Sequence, residues 1–530
     1  MSASQQKKLR KNQAAEVQQQ MTERQQEELK QQRKVKRMTG LFFAGIILVA
    51  VLIVCSLVWN SGLLHRNITA VSVEDYNFSA AQVNYAYIDT VNSAMNDDSS
   101  YLPYFVSTST PLDQQECVLT SDGSTWADYF LDSAIAGLED IVGLCKTAEA
   151  EGYTLTEEDQ ATIDETLETV EYYATLYGYS NVNKYLRAYY GNYANLDTYK
   201  EYITMQQLAS SYQTKVLGEL EASYTDEDIT AYVNEHATDL TTYTYRQFTC
   251  SVSTLGGLDA ASDAAEEMVK RGEGNEEMFL DLTLEYCGED NTETYEDESA
   301  TLKEYLGMNM SEGDITDWVT DPARQEGDIA SFPISNTSTE GEETITGYNV
   351  VYFKSANDNT YALANVRHIL IQPEGGTYDS DTGETTYTDE EWAAADAAAT
   401  ELYNTWKEGD ATEESFIELV AENSDDTGSN ENGGLYEDVY PGQMVDAFND
   451  WCFAEDRKAG DTGIIKTDYG YPIMYYVGDS ETSYAEYMGK SQMYNEDAEA
   501  WYAEVTDGYT ATQHSFGMKL VNTGLTLSSN

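Results

Sequence analysis

Two segments of this chain contain similar sequence motifs in the same order, which predicts that one small fold occurs twice. The matching motifs, first copy and then second, are Arg246 and Arg367, Phe279–Leu282 and Phe416–Leu419, Gly327–Ile329 and Gly460–Thr462, and Gly347–Tyr352 and Gly470–Tyr475. Each copy is predicted to start on a β-strand, pass through helices and close on a strand after a Gly-containing turn. A polar stretch in the second copy, Gly375–Thr388 with Asp381–Gly383 at its tip, is predicted to be a surface hairpin.

An uncharged apolar run, Gly40–Trp59, precedes the repeat. At 1.5 Å per residue, such a helix crosses a hydrocarbon core of about 30 Å. Basic residues between Arg33 and Arg37 stand directly before it, and the positive-inside rule places them in the cytoplasm. No Ala-x-Ala-like site follows, so an uncleaved anchor is preferred to a signal peptide. The sequence therefore predicts a single-pass cell-membrane protein with its bulk outside the cytoplasm.

Charge is distributed unevenly about this run. Residues 1–38 hold ten Lys or Arg and four Glu, a net of +6, so the remainder carries −65 − 6 = −71. Such an acidic part argues against nucleic acid as a partner, and solubility is the simplest reason for its charge. The chain has four dispersed His and no Cys-x-x-Cys pair, so no metal site and no cofactor are expected.

Residues 74–237 have a helical pattern. The helix starts are marked at Thr156 and Thr225, each a Thr followed three positions later by an acid. Apolar residues then recur at spacings of three and four and predict a long amphipathic helix, through Tyr202, Met205, Ala209, Tyr212, Val216 and Leu220.

The second copy contains an ordered series of motifs. They are Val366–Ile371, Phe416–Leu419, Ser424–Asp426, Gly433–Leu435, Gly442–Met444 with Phe448, and Gly470–Ile473. This series resembles the parvulin family of peptidyl-prolyl isomerases, in the form found in PrsA- and SurA-like foldases. Looser motifs in the helical region, such as Asn183–Leu186 and Tyr224–Ile229, resemble the chaperone domain of SurA-like proteins.

The resemblance implies an α+β, multidomain fold after the transmembrane helix. It has a helical chaperone domain and two parvulin-like domains, each a small antiparallel sheet with surrounding helices. The expected divisions are a basic cytoplasmic segment at 1–38, the transmembrane helix at 39–60, the chaperone domain at 74–237 completed by 481–525, a degenerate parvulin-like domain at 238–357 and a parvulin-like isomerase domain at 358–480.

The resemblance assigns catalytic roles to His368 and Asp426. A strand alternates its faces, so His368 and Leu370 point one way and Arg367 the other. In the family the matching His belongs to a buried hydrogen-bonded network under the proline pocket, although a buried core His is the simpler interpretation. Asp426 matches an acid or Cys facing the substrate carbonyl, and Asp425 remains an alternative.

The substrate pocket is assigned in the same way. Met444 and Phe448 are expected on one face of a helix, where the family lines the proline pocket, although plain core packing explains such spacing too. Either Leu435 or Tyr436 provides another wall, because the chain reads Gly-Gly-Leu-Tyr where the family usually has Gly-Gly-Asp-Leu. Tyr469 is the remaining candidate for substrate binding.

Pro472 departs from the family pattern, which typically has a second His there. Proline has neither a polar side chain nor a backbone N–H, so the two-histidine network cannot form. Thr467, Tyr469 or a bound water has to replace it, or catalysis is weakened. In the first copy Gln247 stands in place of His368, and no equivalent of the acidic loop is evident, so that copy is expected to be inactive.

Three functions are compatible with these features. The leading one is a membrane-anchored foldase that isomerises X-Pro bonds and chaperones exported polypeptides. The second is a holding chaperone whose two parvulin-like domains serve as scaffold or client-binding modules. The third is a structural or assembly protein that uses the copies only for partner binding.

Overall fold

The computed structural model describes residues 2–97, 99, 101–191, 193–337, 343–378, 385–454 and 456–527. They form two units, one of residues 1–219 with 498–530 and one of residues 220–497. The helices and strands, in chain order, are α1 Ala3–Asn60, α2 Leu63–Asn67, β1 Thr69–Val73, β2 Tyr76–Ser79, α3 Ala80–Met95, α4 Leu102–Phe105, α5 Trp126–Glu151, α6 Glu157–Leu176, α7 Val182–Tyr190, α8 Leu196–Ser223, α9 Asp226–Glu235, β3 Thr242–Ser251, α10 Val252–Leu255, α11 Leu258–Gly272, α12 Glu276–Tyr286, α13 Thr292–Tyr295, β4 Leu302–Leu306, α14 Asp314–Val319, β5 Ile329–Thr337, β6 Glu343–Asn357, β7 Ala362–Ile371, β8 Thr377–Tyr378, β9 Thr385–Thr386, α15 Asp389–Glu408, α16 Glu413–Asn423, β10 Leu435–Val439, α17 Asp446–Cys452, β11 Thr462–Ile464, β12 Tyr471–Ser483, α18 Tyr484–Thr506, β13 Thr512–Gln513 and α19 Ser515–Met518.

The first unit is mostly helical. Its core is rich in aromatic side chains from α3 and α5, of which Tyr85, Trp126 and Phe130 are fully buried. A three-stranded sheet has the order β13-β1-β2, so a strand near the end of the chain pairs with the first strand. The predicted cap at Thr156 is confirmed, because its side chain and that of Asp159 bond reciprocally to the backbone.

Helix α1 contains an apolar stretch, Lys36–Trp59, whose mean hydropathy is 3.1 and whose most apolar part contains no buried residue. A helix of this length and composition is long enough to cross a membrane.

The second unit contains two four-stranded antiparallel sheets with the same strand order. One runs β4-β3-β6-β5 and the other β10-β7-β12-β11, so each places its first and last strands side by side in the centre. Arg246 pairs with Tyr352 in the first sheet, as Arg367 pairs with Tyr475 in the second. Strands β8 and β9 form the predicted hairpin, whose tip at Asp381–Gly383 lies outside the described residues.

Side-chain contacts repeat between the two sheets as well. Arg246 Nε donates to Glu276 Oε1 at 2.6 Å, and Arg367 Nε donates to Glu413 Oε1 at 2.8 Å. Each Glu is the first residue of its helix, α12 or α16. Each Arg also donates from Nη1 to a backbone carbonyl just before the neighbouring strand, and so ties three elements together.

A second repeated contact joins an Arg to a Trp in each copy. The guanidinium of Arg324 lies 4.7 Å from the ring centroid of Trp318, and that of Arg457 lies 3.7 Å from the centroid of Trp451. Both pairs connect the helix before the third strand of a sheet to the loop that enters that strand. The internal repeat therefore extends from the strand register to the packing of individual side chains.

Candidate active site

His368 lies on a buried face of β7. Only 6% of its surface is exposed, and it pairs with Met474 of the neighbouring strand. Met474 packs with Val366 and Phe448 in one apolar cluster, whereas Ile369 packs with α15 and α16 on the opposite face. The alternation predicted for this strand is confirmed.

Asp426 is the hydrogen-bond partner of His368, at 2.7 Å between Oδ2 and Nε2. The same oxygen accepts from the Ser429 hydroxyl at 2.5 Å and from the Tyr436 hydroxyl at 3.0 Å. The other carboxylate oxygen accepts from the Gly428 N–H at 3.1 Å. One carboxylate thus gathers four donors from β7, β10 and the loop between α16 and β10.

The alternative Asp425 points elsewhere. Its carboxylate accepts from the Gln372 N–H at 2.8 Å, and its own N–H donates to the Leu370 carbonyl. These bonds fasten the loop to the end of β7 and leave Asp426 as the acid beside His368.

The network fixes the protonation of both partners. Burial lowers the pKa of His368 from 6.5, although the hydrogen bond and the negative charge of Asp426 oppose that shift. Burial raises the pKa of Asp426, but the hydrogen bonds from Ser429, His368 and Gly428 outweigh it and bring the pKa to about 2. At neutral pH a neutral imidazole therefore donates its Nε2–H to a carboxylate. Nδ1 is then a buried lone pair with no hydrogen-bond partner among the described residues.

We expect acid to destabilise this site through His368 first. Just below pH 6.5 the unfolded chain binds a proton at His368 that the folded chain does not, so the free energy of unfolding falls as pH falls. The contribution of Asp426 is intact above its unfolded pKa of 3.8 and is lost as pH falls through about 2. Urea unfolding between about pH 7 and pH 5 should show a smaller pH dependence in His368→Gln than in the native chain. Equal dependence in the two would contradict a depressed pKa.

Gly433 and Gly434 bring β10 against β7. Both have a φ of 72°, in the region that favours glycine. The Gly434 carbonyl accepts the His368 N–H at 2.9 Å, and a Cβ on Gly434 would lie 2.3 Å from the His368 carbonyl oxygen. The Gly-Gly pair thus lets the backbone approach the site closely.

We expect Gly434→Ala to lower the free energy of unfolding by at least about 2 kcal/mol, since it adds a backbone clash to the cost of a left-handed residue. Gly442→Ala is the matched control, because Gly442 also has a positive φ (85°) but nothing lies within 4 Å of its Cβ. Urea unfolding of the two variants separates the clash from the conformational cost. Similar losses in both would mean that the close approach is unimportant.

Two aromatic rings pack against the ring of His368. The ring of Phe448 lies 5.6 Å from that of His368 and the ring of Tyr436 5.3 Å, both edge to face. Phe448 is 4% exposed, and Met444 packs against the same cluster. One expectation was wrong: α17 begins at Asp446, so Met444 lies before the helix and shares no helical face with Phe448.

The structure separates the two candidates at the Gly-Gly-Leu-Tyr sequence. Tyr436 pairs with Val366 and faces the histidine, whereas Leu435 pairs with Arg367 on the other face. The third substrate-binding candidate, Tyr469, is 64% exposed in a turn, and no contact joins it to the network within the described part of the chain. Of these three residues, the structure places Tyr436 at the site.

Pro472 is buried in β12, opposite Leu370 and on the same face as His368. The missing N–H of Pro472 costs no hydrogen bond to β7. The backbone groups of its partner Leu370 bond elsewhere, the N–H to Ser424 Oγ and the carbonyl to the Asp425 N–H. Thr467 Oγ1 donates to the Gly470 carbonyl within its own turn and does not replace a second histidine. Ser429 and Tyr436 are the side chains that complete the network around Asp426.

Ser429 is the member of the Asp426 network that the sequence did not predict. It is 1% exposed and lies three residues after Asp426 in a loop without periodicity. A loop serine has no pattern that distinguishes a buried hydroxyl from a solvated one. No group of His, Cys, Asp and Glu among the described residues could hold a metal ion.

Part of this chain is similar to proteins of known family. Residues 348–477 match the family model of the PPIC-type PPIase domain. The foldase protein PrsA 1 of Listeria monocytogenes serotype 4b (strain F2365) is 29% identical over 237 residues, 44% of this chain and 71% of that protein. PrsA 1 of Listeria innocua serovar 6a is 28% identical over 240 residues, with the same shares. The crystal structure of PrsA from Bacillus subtilis aligns with 75% of this chain and 93% of that one, at 15% identity and a TM-score of 0.27. The resemblance predicted from the motif series is confirmed.

Proposed function

We propose, from the parvulin-type peptidyl-prolyl cis-trans isomerase domain that this chain carries at residues 348–477, that the protein is a membrane-anchored foldase outside the cytoplasm. It isomerises X-Pro bonds of exported polypeptides and holds those polypeptides while they fold. The observation that carries the catalytic part is the His368–Asp426 contact, at 2.7 Å, beneath rings that can enclose a proline.

The pocket has two tasks in this reaction. Rotation about an X-Pro bond crosses a barrier of about 18–20 kcal/mol, because amide resonance is lost at the twisted midpoint. Phe448, Tyr436 and Met444 hold the proline ring in a poorly solvated slot. The carboxylate of Asp426 then lies near the substrate carbonyl, where it disfavours the planar amide, whose oxygen carries more negative charge than that of the twisted form.

His368 acts on the substrate through Asp426. Its Nε2–H, with the hydroxyls of Ser429 and Tyr436, keeps the carboxylate ionised and oriented. No proton has to move, because the reaction breaks no covalent bond. This assignment makes Asp426 the catalytic residue and His368 a positioning residue.

The sheet β4-β3-β6-β5 then belongs to the first parvulin-like copy, which has no catalytic network. Gln247 pairs with Val351 in that copy as His368 pairs with Met474 in the other. The common strand order and the repeated Arg–Glu contact support a shared origin for the two copies.

The apolar stretch of α1 is the proposed membrane anchor, with the basic residues before it in the cytoplasm. The partners are unfolded exported polypeptides that contain X-Pro bonds. The acidic remainder of the chain repels nucleic acid.

A holding chaperone without isomerase activity is the second candidate. Pro472 favours it, because the position that usually provides a second histidine cannot donate to the buried Nδ1 of His368. Both parvulin-like copies would then serve as scaffold or client-binding modules.

Proline-limited refolding of a reporter protein in the presence of the full chain tests the two candidates. The foldase predicts acceleration, and it predicts that His368→Ala reduces kcat/KM by about tenfold or more, equivalent to about 1.4 kcal/mol of transition-state stabilisation. Gln247→Ala is the matched control in the first copy and should change nothing. No acceleration, with aggregation of the reporter still suppressed, would leave the holding chaperone. Isomerase activity that appears only in Pro472→His would show that the natural chain is an isomerase that has lost its activity.

A further inference from the structure

Helices α6 and α7 in the first unit present a row of tyrosines. The rings of Tyr173, Tyr177, Tyr185 and Tyr189, called the tyrosine ladder here, follow one another at centroid distances of 6.0, 6.3 and 6.3 Å. Their planes differ by only 13–27°. Tyr177 is 64% exposed. A contiguous exposed aromatic surface of this kind is unusual on a protein that binds nothing there.

Tyr173, Tyr177 and Tyr189 are exposed, whereas Tyr185 is partly buried and packs against the core of the first unit. On the other side of α7, Leu186 and Tyr190 are buried in that core. The hydroxyls of Tyr173, Tyr177 and Tyr185 have no hydrogen-bond partner in the described ranges. The fourth hydroxyl, that of Tyr189, accepts from Asn92 Nδ2 at 2.8 Å, so three polar tips of the ladder are free among the described residues.

A cavity of about 400 Å³ opens beside the ladder, between α6 and α7. Its lining includes Tyr173, Tyr185 and Tyr189, together with Glu165. Glu165 forms no ion pair with any residue that the structure describes. Ring surfaces and one unpaired carboxylate are the components of a site for an organic cation.

The charge of α6 has the same sign as this carboxylate. The helix contains seven Asp or Glu and neither Lys nor Arg. Such a surface attracts cations and repels acidic chains. Neutral ligands that stack on tyrosine would gain nothing from this charge.

We propose that the tyrosine ladder and Glu165 bind the Lys and Arg side chains of unfolded polypeptides. This inference rests on the holding part of the proposed function and names the clients that the first unit selects. A cationic side chain in the cavity lies against ring faces and beside Glu165, while the neighbouring rings accommodate the extended chain around it. Clients with basic segments are held more tightly than neutral or acidic ones.

Binding of unstructured Gly-Ser peptides to the full chain tests the proposal. One fluorescent peptide has evenly spaced lysines, a second has Gln and a third Glu at the same positions. None contains proline, which keeps the isomerase site out of the measurement. Fluorescence anisotropy should give the lowest Kd for the lysine peptide, and added salt should raise that Kd.

Two variants locate the site. Glu165→Gln should raise the Kd of the lysine peptide about two- to fivefold, and Tyr185→Leu about fivefold. Glu165→Gln should not change the Kd of the Gln peptide. The matched controls are Glu266→Gln, an exposed Glu of the other unit, and Tyr104→Leu, an exposed tyrosine outside the ladder. Glu165 is exposed, so its substitution does not disturb folding.

Two results would overturn the proposal. One is equal Kd values for the lysine and Gln peptides, which would indicate a surface for neutral chains. The other is a loss in Glu165→Gln no larger than in Glu266→Gln. A full chain that fails to suppress aggregation of any unfolded reporter would instead refute the holding function itself, so the two failures are distinguishable.

Discussion

Asp426→Ala should abolish prolyl isomerisation and lower the free energy of unfolding by about 2–4 kcal/mol, because it leaves several buried donors without an acceptor. His368 Nε2 would keep only its 3.5 Å contact with Ser429 Oγ, Nδ1 would still have no partner among the described residues, and the hydroxyl of Ser429 would lose its 2.5 Å bond. Urea unfolding followed by tryptophan fluorescence measures the stability, and proline-limited refolding of a reporter measures the activity.

Asp425→Ala is the control for this variant. Asp425 is the neighbouring acid, but within the described residues its carboxylate accepts only from the Gln372 N–H, and it faces away from His368. Its loss should leave isomerisation unchanged. Asp426→Asn keeps an acceptor and removes the charge, so it should retain most of the stability while the pKa of His368 falls further. Full activity in Asp426→Ala would remove the carboxylate from the mechanism.

Phe448→Ala should have an effect of similar size, for a different reason. Its side chain is 4% exposed and packs with Met474 and Cys452, so its truncation should cost about 3–5 kcal/mol of unfolding free energy. The same change opens the proline slot to water and removes its largest wall. We expect kcat/KM for X-Pro isomerisation to fall by roughly tenfold or more in the folded protein.

Phe448→Leu separates the two effects, since it keeps most of the apolar volume while losing the ring. Its stability should fall by less than that of Phe448→Ala, with isomerisation still clearly impaired. Phe516→Ala is a control for the loss of a phenylalanine, because Phe516 is exposed in the other unit. If Phe448→Leu isomerises as well as the native chain, the pocket assignment is wrong.

The parts of this fold that repeat were predictable from sequence. Arg246 and Arg367 marked two copies, and the strand register now pairs each with the equivalent tyrosine. The alternation around His368 followed from the geometry of a strand alone. Helix starts were predictable at Thr156 and Thr225, because a cap requires particular side chains at fixed spacing.

The rest depended on turn geometry, strand register and loop contacts that have no periodic sequence pattern. A spacing of four between Met444 and Phe448 suggested a helical face, but the turn before α17 ends only at Val445. The choice between Leu435 and Tyr436 depended on the register of β10 against β7, which a single strand does not reveal. Ser429 and the Trp318–Arg324 contact have no periodic pattern, so only the structure could show them.

The pairing of β1 with β13 affects the order in which the chain can fold. Ser72 and His514, joined by a hydrogen bond, are separated by 442 positions. A ribosome adding about 5–20 residues per second needs roughly 20 to 90 s to make the intervening chain. During that time residues 220–497 can fold, whereas one edge of β1 has no strand beside it and can pair with other chains. A foldase built in this way passes through its own aggregation-prone stage, and a chain that stops before β13 stays there.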